Sequence, residues 1–491
     1  MRPPARYSRP SPRALAASLT LAAALLLPAG ALAAPAPQAA QPASPQPTPA
    51  PGTLVQLSGA KGCLVDRSAD PGGCAPARAL KGPATLLGSR AVALSPDGKS
   101  LYVASAGSDA IAIFKRDPGT GTLTQGRGAA GCIAAKGAEG CTSAVGLDGP
   151  NSVAVSPDGR NVYATSLGSE AVTVFHRDRS SGALSQSRDG SGCIATLPLP
   201  GCASGRALGG PDVIVASPDG RNVYVGSFFG NAIAVFSRDP AGGALTQPAG
   251  SSGCITATPT SGCATGLALA AIEGMAISGD GKSLYAGAAV SEAVDTFTRN
   301  PSTGALTQAS GGGGCVVSTP LAGCTTGAQL DGADAVAVSP NGKDVYVTSL
   351  FSKSVTSFSR SAASGLLTQK PGSSGCLVFM RSTGCSFGRA LNAPEGLAVS
   401  PDGTNVYAAS FVPGAIAVLN RSKRSGAVAQ KPNGVGCVAV PAVPECPTGR
   451  AMSGLSSLVL SPDGRFLYAA AARSDAIATF RRSGRRPAPR H

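Results

Sequence analysis

Seven tyrosines in this chain stand at one fixed interval. Tyr102, Tyr163, Tyr224, Tyr285, Tyr346, Tyr407 and Tyr468 are each 61 residues apart. Arg116, Arg177, Arg238, Arg299, Arg360, Arg421 and Arg482 keep the same step, and so do seven glycines from Gly98 to Gly464. Self-similarity at a fixed period of this size marks a solenoid, an array or a propeller, and it overrides any residue-by-residue choice of fold. One unit, from Asn151, gives the local structure. "NSVAVS" alternates and is β-branched, so it is a strand. "PDG" is a tight turn, "RNVYATS" a second strand, "AVTVFHR" a third and "ALSQ" a short fourth. The pattern predicts a four-stranded antiparallel meander followed by a long loop held between two cysteines.

The two ends of the repeat region are complementary fragments. The last unit stops after its third strand, "AIATFRR" at 476–482. Its missing fourth strand stands alone at the other end, as "GTLVQ" at 52–56. An open array has no use for such fragments. A closed ring does, because pairing them completes one sheet and hides the edges that radial sheets otherwise expose. The expected fold is therefore all-β: a seven-bladed β-propeller over residues 52–482, closed by an N-terminal strand that completes the last blade.

What precedes the ring has a different character. Arg2, Arg6, Arg9 and Arg13 lead into the apolar run "ALAASLTLAAALLLPAGALA". That order predicts a secretory signal peptide over residues 1–33, cut after Ala33, with an uncleaved membrane anchor as the alternative. Residues 34–51 are a Pro/Ala-rich linker, and 483–491 form a basic tail. Once the signal is cut, no further run long enough to span a membrane remains, so the protein is expected to be secreted and monomeric.

Fourteen cysteines agree with export. They fall in close pairs, Cys63/Cys74, Cys132/Cys141, Cys193/Cys202, Cys254/Cys263, Cys315/Cys324, Cys376/Cys385 and Cys437/Cys446. An even count behind a signal peptide points to disulfides. The stapled loops they close are expected to crown the same face as the channel mouth. Zinc would need shorter spacings or histidines, and the chain has two His. No cysteine is left over for redox chemistry. The formal charge of +15 includes four leader arginines and three in the tail (Arg485, Arg486, Arg490), so the ring itself carries +8. Those charges are mixed in sequence, there is no Trp, and the recurring Tyr and Phe have structural positions. Nucleic acid is not expected as a partner.

"VAVSPDGRNVYATS" at 153–166, with copies "VAVSPNGKDVYVTS" and "LAVSPDGTNVYAAS", resembles the YVTN-repeat, lactonase-like β-propeller family across all seven blades. That family includes bacterial 6-phosphogluconolactonases, carboxymuconate-cyclase-like proteins and secreted members without a known reaction. The resemblance implies a site at the channel mouth where the innermost strands begin, often built on His, Arg and acid groups. Here that slot holds Arg90, Asn151, Asp212, Glu273, Asp334, Glu395 and Ser456, with no His. His176 falls at the far end of a third strand and His491 in the tail. The histidine chemistry of the family therefore does not transfer.

Two functions follow. The first is a disulfide-stiffened binding or scaffold module that presents its loop-crowned face to an extracellular protein, polymer or small ligand. Asn151, Asp212 and Asp334 would line its mouth. Phe228, Phe229, Phe351 and Phe411, which interrupt the repeat in turns on that face, would either form a contact surface or tuck under the loops. The second is a lactone hydrolase using Arg90 with Glu273 or Glu395. No cofactor is required by either, although the four carboxylates Asp212, Glu273, Asp334 and Glu395 have the oxygen chemistry that Ca²⁺ takes. The plainer expectation is that these acids are solvated, or paired with Arg206, Arg389 and Arg450 in neighbouring loops.

Overall fold

Each "Ser-Pro-Asp-Gly" corner folds by local hydrogen bonds. In blade 2 the Ser156 hydroxyl donates to Asp158 (2.6 Å) and accepts the amide of Asn161 (2.9 Å), while Gly159 takes φ +68°. A side chain there would be strained by the backbone alone, which is why the position is Gly in all seven copies. The computed structural model describes residues 50–83, 90–310, 312–441 and 443–484. The expected signal peptide, nearly all of the linker and the tail beyond Gly484 lie outside the described residues.

Seven sheets form, one per repeat. In blade 2 the inner strand Pro150–Val155 pairs antiparallel with Asn161–Ser166, which pairs with Ala171–Arg177. The fourth strand differs from the expectation. It is split: Leu184–Ser185 pairs with the end of the third strand and Cys193–Ala195 with its beginning. A further strand, Ala203–Ser204, then lies parallel to Cys193–Ala195 at the outer edge. What the sequence presents as a stapled loop is thus half sheet.

The seven expected disulfides form: Cys63–Cys74, Cys132–Cys141, Cys193–Cys202, Cys254–Cys263, Cys315–Cys324, Cys376–Cys385 and Cys437–Cys446. Their setting corrects the expectation of a loop. Each first cysteine lies in the split strand, and its partner stands at the outermost one. Cys74, Cys141, Cys202, Cys263 and Cys385 immediately precede the outer strands that open at Ala75, Thr142, Ala203, Ala264 and Ser386. Cys324 begins the outer strand Cys324–Thr326, and Cys446 stands two residues before Thr448, which bridges to Ala439. The reason is geometric. Neighbouring strands run about 4.7–4.9 Å apart. The parallel pairing therefore holds the paired Cα atoms at 4.7–5.1 Å, within the span a disulfide bridges.

The ring closes as the complementary ends require. Leu54 pairs with Arg482 and Gln56 with Phe480, so the first strand completes the seventh blade beside Ala476–Arg482. Cys63–Asp66 then pairs with the start of that same strand. Between blades, Phe114, Phe175, Phe236, Phe297, Phe358, Phe480 and Leu419 are fully buried. Each such side chain contributes about 1.5–3 kcal/mol by leaving water.

Two hydrogen-bond ladders fix neighbouring blades. In the first, the arginine ending each third strand donates Nε to the tyrosine hydroxyl of the preceding blade at 2.6–2.8 Å. That hydroxyl donates onward to a glycine carbonyl in the arginine's own blade at 2.6–2.9 Å. The second guanidinium nitrogen of Arg238 also meets Asp158 at 2.7 Å. Blade 5 has Asn341 in the turn, and there Arg421 pairs with Asp344 instead. At the closure the carbonyl receiving Tyr407 belongs to Gly52. The second ladder is a glutamine per blade. Gln247 donates to the carbonyl of Arg206 and accepts its amide, at 3.0 and 2.8 Å, so the fourth strand of one blade grips the loop of the one before. Gln56, Gln125, Gln186, Gln308, Gln369 and Gln430 repeat this.

Candidate functional site

The slot residues owe their direction to a repeated irregularity. Each inner strand from blade 2 to blade 7 slips register at its first residues, between Pro150 and Ser152, Pro211 and Val213, Ile272 and Gly274, Ala333 and Val336, Pro394 and Gly396, and Leu455 and Ser457. The residue inside each bulge is Asn151, Asp212, Glu273, Asp334, Glu395 or Ser456. A bulge leaves its extra residue unpaired and re-aims its side chain. The six positions named from the sequence are therefore brought to one level of the ring.

They are not solvated. All six are buried, at 0–1 % exposure. Nor do the loop arginines reach the acids among them. Arg206 donates to the carbonyls of Gly262 and Pro248, Arg450 to that of Gly59, and Arg389 pairs with Glu445. Asp212 accepts from the Asn151 amide. One oxygen each of Asp212, Glu273 and Glu395, both oxygens of Asp334, and Oδ1 of Asn151 have no hydrogen-bond partner among the described residues. Removing a carboxylate from water without a partner favours its neutral form. Burial, then the charges of Asp212 and Glu395, push the Glu273 carboxyl up to about 9. Burial pushes Glu395 up to about 8, with Arg473 opposing. Burial raises Asp212 and Asp334 well above the usual carboxylate range, and the neighbouring acids add to it. Among the described residues no three His, Cys, Asp or Glu stand together as a metal ion would need.

Arg90, the blade 1 member, spans the axis. Its guanidinium donates to the carbonyl of Val336 in blade 5 at 3.0 Å, and burial lowers its pKa. A channel of about 520 Å³ runs along the axis. Arg90, Glu395 and Ser456 lie on its wall at one end, and Pro157, Pro218, Pro401 and Pro462 of the Ser-Pro-Asp-Gly turns at the other. Glu273 is not on that wall. Of the pairs expected from the sequence, Arg90 and Glu395 share the channel and Arg90 and Glu273 do not. His176 sits near the turn end, exposed and beside Ser187 at 3.2 Å, far along its strand from the slot.

The cysteines stand at the slot end of each blade, on the face expected for them, but at its outer rim and not at the channel itself. None of the fourteen lines the channel, and Cys141, Cys263, Cys324, Cys385 and Cys446 are farthest from it in the order of strands. The inner, second and third strands and then the split fourth strand stand between each of them and the axis. Cys263, Cys324, Cys385 and Cys446 are half-buried, and Cys141 is buried at 9 % exposure. The disulfides cross-link the outer rim of each blade and touch no ligand space along the axis.

The aromatic set divides. Phe229 and Phe351 are 66 % and 62 % exposed. Phe228 is half-buried against Phe229, with ring centroids 5.1 Å apart, and Phe411 is half-buried under the guanidinium of Arg473. Two members were not picked out from the sequence. Val290 and Val412 occupy the same repeat position as Phe229 and Phe351, each 61 residues from the next, and are 70 % and 39 % exposed. Four consecutive blades thus present an apolar arc on the loop face. The period was the signal, but an exposed valine draws no notice until its neighbours in the arc are known.

Comparison with known proteins supports the resemblance. The family model described as "Lactonase, 7-bladed beta-propeller" matches residues 85–195 and 200–317. The chain is a seven-bladed β-propeller that is similar to the lactonase family over those residues. Comparison with curated proteins gives no match. Among solved structures, this propeller is similar to a proposed 6-phosphogluconolactonase from Bacteroides uniformis, with 21 % identity over 76 % of this chain and 88 % of that one and a TM-score of 0.51. It is similar to hydrazine synthase of Kuenenia stuttgartiensis, with 20 % identity, 81 % and 97 % coverage and a TM-score of 0.50. The periplasmic gluconolactonase of Pseudomonas aeruginosa gives 20 % identity, 69 % and 83 % coverage and a TM-score of 0.46. These likenesses are of fold, and the fold alone hosts unrelated chemistries. Seven disulfides fit an oxidising compartment, and among the described residues no helix is long and apolar enough to cross a membrane.

Proposed function

We propose that this propeller hydrolyses a lactone in its axial channel. The observation that carries the proposal is the presence of Arg90 and Glu395 on one wall of a sugar-sized cavity, in a chain matched by a lactonase family model. Ionised Glu395 takes a proton from water as its oxygen attacks the lactone carbonyl. Arg90 faces the oxyanion that forms. The ring C–O bond then breaks, the proton passes from Glu395 to the leaving alkoxide, and the product is the open hydroxy acid. With its pKa near 8, Glu395 works as a base only as pH rises through that value, so the rate should climb between pH 7 and 9.

The test is acid release in a pH-stat from sugar γ-lactones and muconolactone, with uncatalysed opening subtracted. Wild type should turn over at least one of them. Glu395→Gln should lose about 10²–10⁴-fold of that rate, and Arg90→Ala a comparable factor. A wild-type rate equal to the uncatalysed one across the panel defeats the proposal. The apolar arc of Phe229, Val290, Phe351 and Val412 favours a second reading, a binding face for an extracellular partner. Phe229→Ser with Phe351→Ser should then abolish capture of that partner and leave lactone turnover intact.

A further inference from the structure

The face opposite the disulfides carries charge that neither ladder uses. Directly after the Ser-Pro-(Asp/Asn)-Gly turns stand Lys99, Arg160, Arg221, Lys282, Lys343, Thr404 and Arg465, with Gly279 taking the proline's place in blade 4. The six cations are exposed. Because they share one repeat position at the same end of every blade, they form a ring around the turn end of the channel. The side chains of Lys99, Arg160, Arg221, Lys282 and Lys343 have no ion pair among the described residues, and Arg465 lies over Phe466 with Asp463 at 3.9 Å.

The acids of this face are already engaged. Asp97, Asp158, Asp219, Asp280 and Asp402 pair with the clamp arginines of the next blade. Asp117, Asp178 and Asp239 accept backbone amides of their own turns. Farther out, Arg179, Lys423 and Arg424 add exposed positive charge. The excess of +8 on the ring, which looks dispersed along the sequence, is gathered on one face.

Both ends of the ring also leave from this face, since Gly52 donates to the carbonyl of Ser483 at 2.6 Å. A ring of exposed lysines and arginines at the same end of every blade but one matches a planar anionic surface. It does not suit single-stranded nucleic acid, because the aromatics of this end, Phe466 with the second-strand tyrosines and third-strand phenylalanines, are buried and offer bases nothing to stack on.

We propose that the turn face docks on an anionic lipid bilayer and leaves the loop face pointing away from it. Each lysine or arginine near such a surface adds attraction that salt screens. The experiment is co-sedimentation of the full chain with vesicles of phosphatidylglycerol and phosphatidylcholine, and with phosphatidylcholine alone. Arg160→Thr/Arg221→Thr/Lys282→Thr removes three ring charges. Blade 6 already has Thr404 at this position, so the turn accepts the residue. The control Lys61→Thr/Arg67→Thr/Lys136→Thr removes equal charge from the disulfide side. The proposal expects salt-sensitive binding to the anionic vesicles only, at least 30-fold weaker in the ring variant and changed less than about threefold in the control. Equal loss in both variants, undiminished binding to neutral vesicles, or binding to soluble polyglutamate with none to vesicles overturns it.

Discussion

Replacing Glu273 by Gln tests the burial of the axial acids directly. In the unfolded chain this carboxyl releases its proton near the ordinary 4.5, and in the folded ring only near 9. Between those values the folded state holds a proton that the unfolded state has lost. Stability contributed by Glu273 is therefore complete below pH 4.5 and falls as pH rises, by roughly 1.4 kcal/mol per unit. From pH 5 to pH 8 the wild type should lose roughly 4 kcal/mol through this group. The amide cannot ionise, so the difference between variant and wild type should shift by that amount toward the variant. At pH 5 the variant should be no more stable, because its N–H groups gain no acceptor and an unmet buried donor costs about 1–3 kcal/mol. Guanidinium chloride unfolding of both proteins at pH 5, 6.5 and 8, disulfides intact, measures the difference. A gap constant to within about 1 kcal/mol across that range would mean that Glu273 titrates normally and that the closed ring does not bury it.

Two further outcomes follow from the contacts between and within blades. Arg238→Ala strips Tyr163, Asp158, Asn161 and the Gly220 carbonyl of one shared donor. It should lower stability by about 3–5 kcal/mol, visible as a depressed melting temperature. Cys254→Ser/Cys263→Ser opens a loop of sequence separation 9 and should cost about 2–3 kcal/mol, with reductant lowering the melting point of the wild type further still.

The sequence carried the ring in full, because period and complementary ends are global facts that local error cannot disturb. It carried the bulge residues too, since Asn151, Asp212, Glu273, Asp334, Glu395 and Ser456 share one repeat position. Their burial was not legible. Whether an acid at a strand start meets water depends on how tightly seven inner strands close on the axis, and no stretch of chain records that. The reach of Arg90 to Val336 was hidden for the same reason, as it joins residues 246 apart. The cysteine pairing was plain from spacing, but the place of Cys141, Cys263, Cys324, Cys385 and Cys446 at the rim was not. The split strands they are tied to, such as Cys193–Ala195 in blade 2, are three residues long and too short to show a period. The glutamine ladder had a plain signal in Gln125, Gln186, Gln247, Gln308, Gln369 and Gln430, but its bonding to the preceding blade emerges only from the assembled ring.

The hydrogen bond from Gly52 to Ser483 makes first and last a matter of convention in this molecule. A gene that joins those two residues through a short Gly-Ser bridge and starts instead at Thr120, in an exposed corner of blade 1, encodes the same wheel with its seam moved. Such a circular permutant would have blade 1 rather than blade 7 assembled from distant stretches of polypeptide. Its refolding rate against that of the parent would reveal how much of the folding barrier comes from bringing the two halves of the seam together.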